Sequence, residues 1–332
     1  MARRRGRRYR AGTGRPGDGR PAAGRGAAGA SVRRPRGLSP LDHAGRETDD
    51  EGMILVNVLL FVAIASGILL LMITSEDGAL ERGLRMREAA RAQAIARGGE
   101  TSAIVALRRD AVVAPDTDNR AEPWAALSEK GAPIDGGSFD LAIADAQDRF
   151  NINALMQPDP VAAGILGKIA AAVGMSPEQA ARAAGAIRAA GPLSDLRPLA
   201  MLGLPRALLT RLAGLVTALP YDSKINLNAA SEDMIGVLTG DPMAARRIVA
   251  TRERQGYVTA ADLASMNVAM PQGTGLTSNL FWVRSRVRIG DTGQQITSLI
   301  ARRDDPGADG KVAVVVGRWI GATAPLQAPA LP

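Results

Sequence analysis

The chain has no cysteine, so neither a disulfide framework nor thiolate chemistry is open to it. Its one histidine, His43, precedes every segment that reads as folded. The rest of the chain therefore cannot build a Ser-His-Asp triad, a zinc site or a histidine general base. The four lysines (Lys130, Lys168, Lys224 and Lys311) form no Ser-x-x-Lys pair, and there is no G-x-x-x-x-G-K-[ST] phosphate loop. Hydrolysis by two carboxylates stays open, but a chain with 3% aromatic residues has little with which to line such a cleft. The inventory points away from an enzyme, and no catalytic residue is assigned.

What the chain does have is a run of 21 residues, Met53–Ile73, with no charge and with Asn57 and Ser66 as its polar members. As a helix rising about 1.5 Å per residue it reaches about 31 Å, enough to cross a bilayer's hydrocarbon core. Residues 1–52 carry thirteen Arg and six acidic residues, which is +7 of the chain's +8. They are Arg, Gly, Ala and Pro with almost no large apolar side chain, a composition that reads as a disordered leader. A basic tract just ahead of an apolar span also holds its own end in the cytoplasm. The remaining 28 basic and 27 acidic residues nearly cancel, so the folded part lacks the positive excess of a nucleic-acid-binding domain.

From residue 74 to 111 the chain is rich in Ala, Arg, Glu, Leu and Met, without proline until Pro115. Leu80, Leu84, Ala90, Ala94, Ile104, Val105 and Leu107 recur near helical spacing, predicting an amphipathic continuation of the apolar helix. An ordinary membrane anchor followed by a domain's first helix would share that pattern. Residues 115–133 contain three prolines and read as a loop with one turn near Trp124. Alternating residues 139–145 and 150–153 predict two strands. Residues 280–289, 295–302 and 311–320 predict three more, and helical patterns fill residues 161–266. The tail from Thr323, with three prolines, reads as loose.

One pattern occurs twice, offset by 75 residues. Asn151-Ile152-Asn153-Ala154 is followed by a helix, the turn Gly174-Met175-Ser176-Pro177 and a second helix. Asn226-Leu227-Asn228-Ala229 is followed by a helix, the turn Gly240-Asp241-Pro242 and a second helix. Asn151, Asn153, Asn226 and Asn228 are assigned as structural turn residues, capping the next helix or bonding the turn backbone. The unit is similar to helix-hairpin-helix DNA-binding modules, whose hairpin N–H groups hold a phosphate. Here Pro242 removes a donor and Asp241 sets a negative charge where the phosphate would sit, so no nucleic acid is expected.

The junction Asp49-Asp50-Glu51-Gly52-Met53 places the apolar run directly after a glycine, with no small-residue cleavage site beyond it. This resembles the type IV prepilin signal. The resemblance implies cleavage between Gly52 and Met53 by a prepilin peptidase and N-methylation of Met53. Major pilins carry Glu at the fifth mature position, whereas here that position is Asn57. A subunit with no neighbouring amine to pair has no use for a costly carboxylate in lipid, so Asn57 marks a filament tip. Together with the two repeats and Ser-Lys-Ile-Asn-Leu-Asn-Ala-Ala (223–230), the junction resembles the minor pseudopilin K family of type II secretion.

That resemblance implies an α+β fold: a long N-terminal transmembrane and amphipathic helix, a pilin-like antiparallel sheet, and a large inserted all-helical domain containing two helix-hairpin-helix-like repeats. The expected divisions are a leader (1–52), a transmembrane half-helix (53–73), a periplasmic half-helix (74–111), pilin-like core (112–153 and 277–322), the α-domain (154–276) and a flexible tail (323–332). Implied partners are minor pseudopilins I and J, the major pseudopilin, the prepilin peptidase, the inner-membrane secretion platform and exported proteins. The implied place is the inner membrane, crossed once, with the N-terminus cytoplasmic and the C-terminal domain periplasmic. The implied role is to cap the pseudopilus tip and nucleate its assembly. The competing reading is a membrane-anchored, competence-type DNA-binding protein using its hairpins. No cofactor is expected. Some family members bind calcium, and Asp304-Asp305-Pro306-Gly307-Ala308-Asp309-Gly310 is the candidate loop. A plain hairpin wants the same residues and EF-hand spacing is missing, so no metal ligand is assigned.

Overall fold

The computed structural model describes residues 47–304 and 311–331. The leader before residue 47 and most of the candidate calcium loop lie outside the described residues. The chain divides into two units, one ending at Leu69 and one running from Leu70 to the C-terminus. Helix α1 is Glu47–Val113. In the first unit, the described residues are all helical. Every large apolar side chain from Met53 to Ile73 is more than half exposed, as expected of a surface that lipid or other helices would cover. Among the described residues, α1 is the one helix long and apolar enough to cross a membrane.

In the second unit, α1 is followed by β1 (Glu129–Ile134) and β2 (Gly137–Asp145). The chain then runs through β3 (Phe150–Asn151), α2 (Pro160–Val173), α3 (Pro177–Ala190), α4 (Arg206–Leu215), β4 (Val216–Thr217) and β5 (Ile225–Asn226). It continues through α5 (Glu232–Thr239), α6 (Pro242–Gln255), α7 (Ala260–Ser265) and β6 (Thr274–Gly275). Last come β7 (Leu280–Ile289), β8 (Thr292–Asp304) and β9 (Lys311–Ile320). The main sheet is antiparallel in the order β1-β2-β7-β8-β9, so strands far apart in sequence, β2 and β7, are neighbours. Phe139 stands opposite Val287, and Trp282 opposite Leu299.

The apolar spacing of residues 74–111 does not by itself mark the stripe of α1 that lies on the sheet. Leu80, Leu84 and Val105 are 66%, 50% and 59% exposed, while Ala92, Ala96, Ala103 and Leu107 are fully buried. The reason is closeness. Gly99 lies in the same inner stripe, and a Cβ there would come within 2.9 Å of the Phe139 ring. A helix seated that low admits alanine and glycine at the close approach, with Leu107 buried further along, while Leu80, Leu84 and Val105 face outward. The 115–133 segment also differs from the expected loop. Residues 129–134 pair with β2 as an edge strand, with a register shift between Glu129 and Ala132 and with Pro133 tolerated at the edge. Trp124 is buried and meets Phe281 edge-on, with ring centroids 5.2 Å apart.

The stretch expected to be all-helical also holds β4, which pairs in parallel with the expected strand β3, and the parallel pair of β5 with β6. β3 and β5 each end on the first Asn of an Asn-x-Asn turn, where the backbone is extended to reach the turn. Ile165, Ile169, Val173 and Ile187 of the first copy share one core with Met234, Ile235, Leu238 and Ile248 of the second. Burying each such side chain contributes about 1.5–3 kcal/mol. The tail, expected to be loose, is instead held: Gln327 is buried and arginine side chains donate to its backbone carbonyls.

Candidate functional site

The residues singled out in the sequence fall into three places. Gly52, Met53 and Asn57 lie on α1 in the first unit, all exposed. A Cβ added at Gly52 would meet nothing within 4 Å. Asn151 and Asn153 form one turn, and Asn226 and Asn228 another. In each, the first Asn accepts from the backbone N–H of the second, at 3.2 and 2.9 Å. The second Asn then clamps a distant residue in both directions. Asn153 Nδ2 donates to Leu193 O at 2.8 Å and its Oδ1 accepts from Leu193 N at 2.9 Å. Asn228 does the same with Val258, at 3.1 and 2.7 Å. The two turns share this clamp, and the carboxamide suits the task because it offers a donor and an acceptor side by side.

The hairpins are closed to phosphate. The Asp241 carboxylate accepts from Met243 N at 2.8 Å, and Ser176 Oγ accepts from Gln179 N at 3.2 Å, so each helix N-terminus already has its acceptor. Gly174 and Gly240 take φ of 81° and 69° as the left-handed ends of α2 and α5, the one role left for glycine there.

Sequence reasoning missed a polar cluster beneath α1. Arg302 of β8 donates to Asp110 Oδ2 at 3.0 Å and to Asp118, and all three side chains are buried. Its Nη2 also donates to Ser278 O at 2.6 Å. Glu122 completes the cluster and accepts from Trp124 Nε1 at 2.7 Å and Asn119 Nδ2 at 2.6 Å. Asp145 sits beside it, accepting from Ser278 Oγ at 2.6 Å and Asn226 Nδ2 at 2.8 Å. Burial pushes Asp110 up to about 7, helped by the negative charges of Glu122 and Asp118 and opposed by Arg302. Burial likewise pushes Asp145 up to about 7, against hydrogen bonds from Ser278, Gln147 and Asn226.

Asp110, Asp118 and Glu122 bring carboxylate oxygens within 4.8 Å of one another, close enough to suggest a divalent cation. The cluster does not fit one, because the Arg302 guanidinium already stands among these oxygens and the Glu122 oxygens are committed to Trp124 and Asn119. A second pair lies further along the helix: Arg318 of β9 grips Glu100 of α1 through Nη2 at 2.6 Å and Nε at 2.9 Å, and Ser298 donates to the same carboxylate. No local sequence signal joins partners about two hundred positions apart. The hint available was acidic residues at positions 100 and 110, on the side of α1 that alanines mark as inner.

The outward side of α1 carries a groove of about 610 Å³, walled by Thr101, Val105, Arg109 and Val113 and by Pro123 and Leu127 across from them. Val105 and Val113 are 59% and 72% exposed, so the groove is an uncovered apolar surface on the helix.

No protein-family model matches the chain. Over 309 residues it is 28% identical to the type II secretion system protein K of Pseudomonas aeruginosa, spanning 80% of this chain and 91% of that protein. Its fold is similar to a chain in the crystal structure of the GspK-GspI-GspJ complex from the enterotoxigenic Escherichia coli type 2 secretion system. There the TM-score is 0.54 at 20% identity, over 72% of this chain and 99% of that one. The chain is thus similar to a type II secretion system protein K along nine-tenths of that protein's length, and it shares the α+β fold of the chain in that complex.

Proposed function

We propose that the chain is a minor pseudopilin that caps the tip of the periplasmic pseudopilus and nucleates its assembly. The observation that supports this most directly is the division of α1. Its apolar stretch is uncovered throughout, whereas its later turns keep small residues for the sheet and a separate apolar groove for something else. A helix with one side satisfied and another bare is built to assemble. The partners on this reading are minor pseudopilins I and J, which accompany K in the similar E. coli complex. The major pseudopilin, the prepilin peptidase, the inner-membrane platform and exported proteins complete the set. The chain crosses the inner membrane once, with its N-terminus cytoplasmic and its C-terminal domain periplasmic.

The finer parts of the reading rest on particular residues. Gly52–Met53 is the cleavage site, Met53 the methylated residue, and Asn57 the mark of a subunit with nothing above it. Residues 154–276 form an inserted α-domain made of two repeats, a reading supported by the matching Asn clamps and by the chain leaving the sheet after β2 and returning at β7. Such an insert has room at the end of a helical stack and collides elsewhere. The role is assembly without catalysis and without a required cofactor, and residues 304–310 remain the calcium candidate. The DNA-binding alternative draws no support from hairpins whose N-termini are self-capped.

The test is co-expression with the I and J proteins of the same system. The wild-type chain is expected to co-purify with them, and the Val105→Arg/Val113→Arg double variant to lose them while keeping its melting temperature. Retention of both partners by that variant would rule out the groove as the docking surface. For the leader, Gly52→Ala is expected to leave a form about fifty residues longer on a gel. Wild-type mobility would remove the processing site.

A further inference from the structure

The segment after β9 is seated residue by residue. Ala324 and Gln327 are 7% and 2% exposed, while Leu326 between them is 59% exposed. Pro325–Ala328 closes a turn, Ala328 N donating to Pro325 O at 3.1 Å. Three of the segment's carbonyls accept from three arginines. Arg197 Nη2 donates to Ala324 O at 2.7 Å, Arg149 Nη2 to Gln327 O at 2.9 Å and Arg284 Nη1 to Pro329 O at 2.7 Å. The Gln327 carboxamide donates to Ser194 O at 3.0 Å and Ala218 O at 3.1 Å. Ala328 packs against the cluster containing Trp282 and Leu299. Those two residues also line a cavity of about 210 Å³ with Trp319, Pro192 and Pro220.

The receptor groups come from separate parts of the unit. Arg149 precedes β3, Ser194 and Arg197 lie between α3 and α4, Ala218 follows β4, and Arg284 belongs to β7. Donors that are permanently charged make shorter and stronger bonds to a carbonyl than neutral ones. Gln327, buried and bonded to two carbonyls, is the side chain that seats the turn. We propose that this groove is a peptide-binding site for a proline-flanked turn carrying one buried glutamine. Its occupant is the chain's own Ala324–Pro329, and occupancy fastens the helical segment to the sheet.

Because the ligand is tethered, it acts at an effective concentration on the order of millimolar, so a modest intrinsic affinity keeps the groove filled. The test compares the detergent-solubilised full chain with one stopped after Thr323. The shortened chain is expected to melt about 5–10 °C lower. A synthetic peptide of residues 323–332 should restore the loss at about millimolar concentration. The same peptide with Gln327→Ala should not. Unchanged melting on truncation, or no restoration by the wild-type peptide, would overturn the proposal. Should the shortened chain fail to fold, full-length Gln327→Ala is digested with carboxypeptidase, with Leu326→Ala as the control. Release of the last residues at least about tenfold faster in the Gln327 variant alone supports the site. Equal protection in both variants overturns it. Neither arm touches the α1 groove, so failure here leaves the assembly reading where it stands.

Discussion

The sheet and the helical segment are held by different forces. Beneath α1, the sheet side adds ionic contacts to its apolar clusters: Asp110 and Asp118 on Arg302, all buried, and the buried Glu100 on the partly exposed Arg318. The helical segment depends on one shared apolar core, and its fully enclosed polar contacts are mostly carboxamides bonded to backbone, at Asn151, Asn226 and Asn228. The difference follows from what each must fix. A helix lying on a sheet through alanine and glycine can slide, because small residues interlock weakly, and charge pairs at residues 100 and 110 pin its register. Helices joined by short turns cannot slide, so it is enough to hold their turns. The sheet side should therefore respond to charge and pH, and the helical segment should respond to neither.

Removing the central cation tests this contrast most severely. Arg302→Met leaves the buried Asp110 and Asp118 without their cation, which costs about 3–5 kcal/mol for a broken buried pair. For a unit of this size that is a fall of about 6–15 °C in melting temperature. Thermal melts of the two proteins decide it. A fall of only about 1 °C would mean that water reaches the cluster and that the pinning argument is wrong.

The pH profile is the next largest effect, and its sign can be worked out. Asp145 and Asp110 are pushed up to about 7 from 3.8, so the folded state keeps protons that the unfolded chain has lost. The stability tied to those protons is complete below pH 3.8 and disappears as pH rises through about 7. Glu100 runs the other way. Burial works against its charge, but hydrogen bonds from Arg318 and Ser298 and the Arg318 charge outweigh it and hold the carboxyl below 4.5. Its contribution is present above 4.5 and is lost as pH falls below that. Stability should peak near pH 4 and decline until about pH 7, with Asp145→Asn flattening that limb by about one proton's slope, about 1.4 kcal/mol per pH unit. A limb unchanged in that variant would assign the titration elsewhere.

What was legible in the sequence follows the same divide. The helical segment could be read because its signals are local: Asn-x-Asn, Gly-x-Ser-Pro and Gly-Asp-Pro each specify a turn from within a few residues. The strands β7, β8 and β9 were legible from runs such as Leu280–Ile289. The inner stripe of α1 was not, because alanine carries little hydrophobic signal and its burial depends on Phe139 approaching Gly99. Nor was the Arg302 cluster, whose members become neighbours only after β8 pairs with β7 and α1 settles on the sheet. The held tail was misread for a related reason. Its prolines say only that it is neither helix nor strand, while the arginines that seat it lie 45 to 178 residues away.

The smallest effect separates the two Asn clamps from each other. They share geometry but not surroundings: Asn228 is 1% exposed and its partner Val258 is fully buried, whereas Asn153 and Leu193 are half-buried. Truncating either to alanine removes the two bonds to its clamped residue; at Asn153 it also removes a bond to Leu219 O, which keeps its bond from Asn151 Nδ2. At Val258 the abandoned N–H and C=O have no water to turn to, and each unsatisfied group costs about 1–3 kcal/mol. At Leu193 solvent can take over, leaving nearer the net worth of ordinary hydrogen bonds, about 0.5–1.5 kcal/mol each. Asn228→Ala should thus destabilise more than Asn153→Ala by about 1–2 kcal/mol in denaturant melts, and by the same margin at pH 5 and pH 8. A margin that changes with pH would mean that the second clamp is coupled to the acid cluster. Asn226 is the route such coupling would take, since its Oδ1 holds the Asn228 backbone while its Nδ2 donates to Asp145.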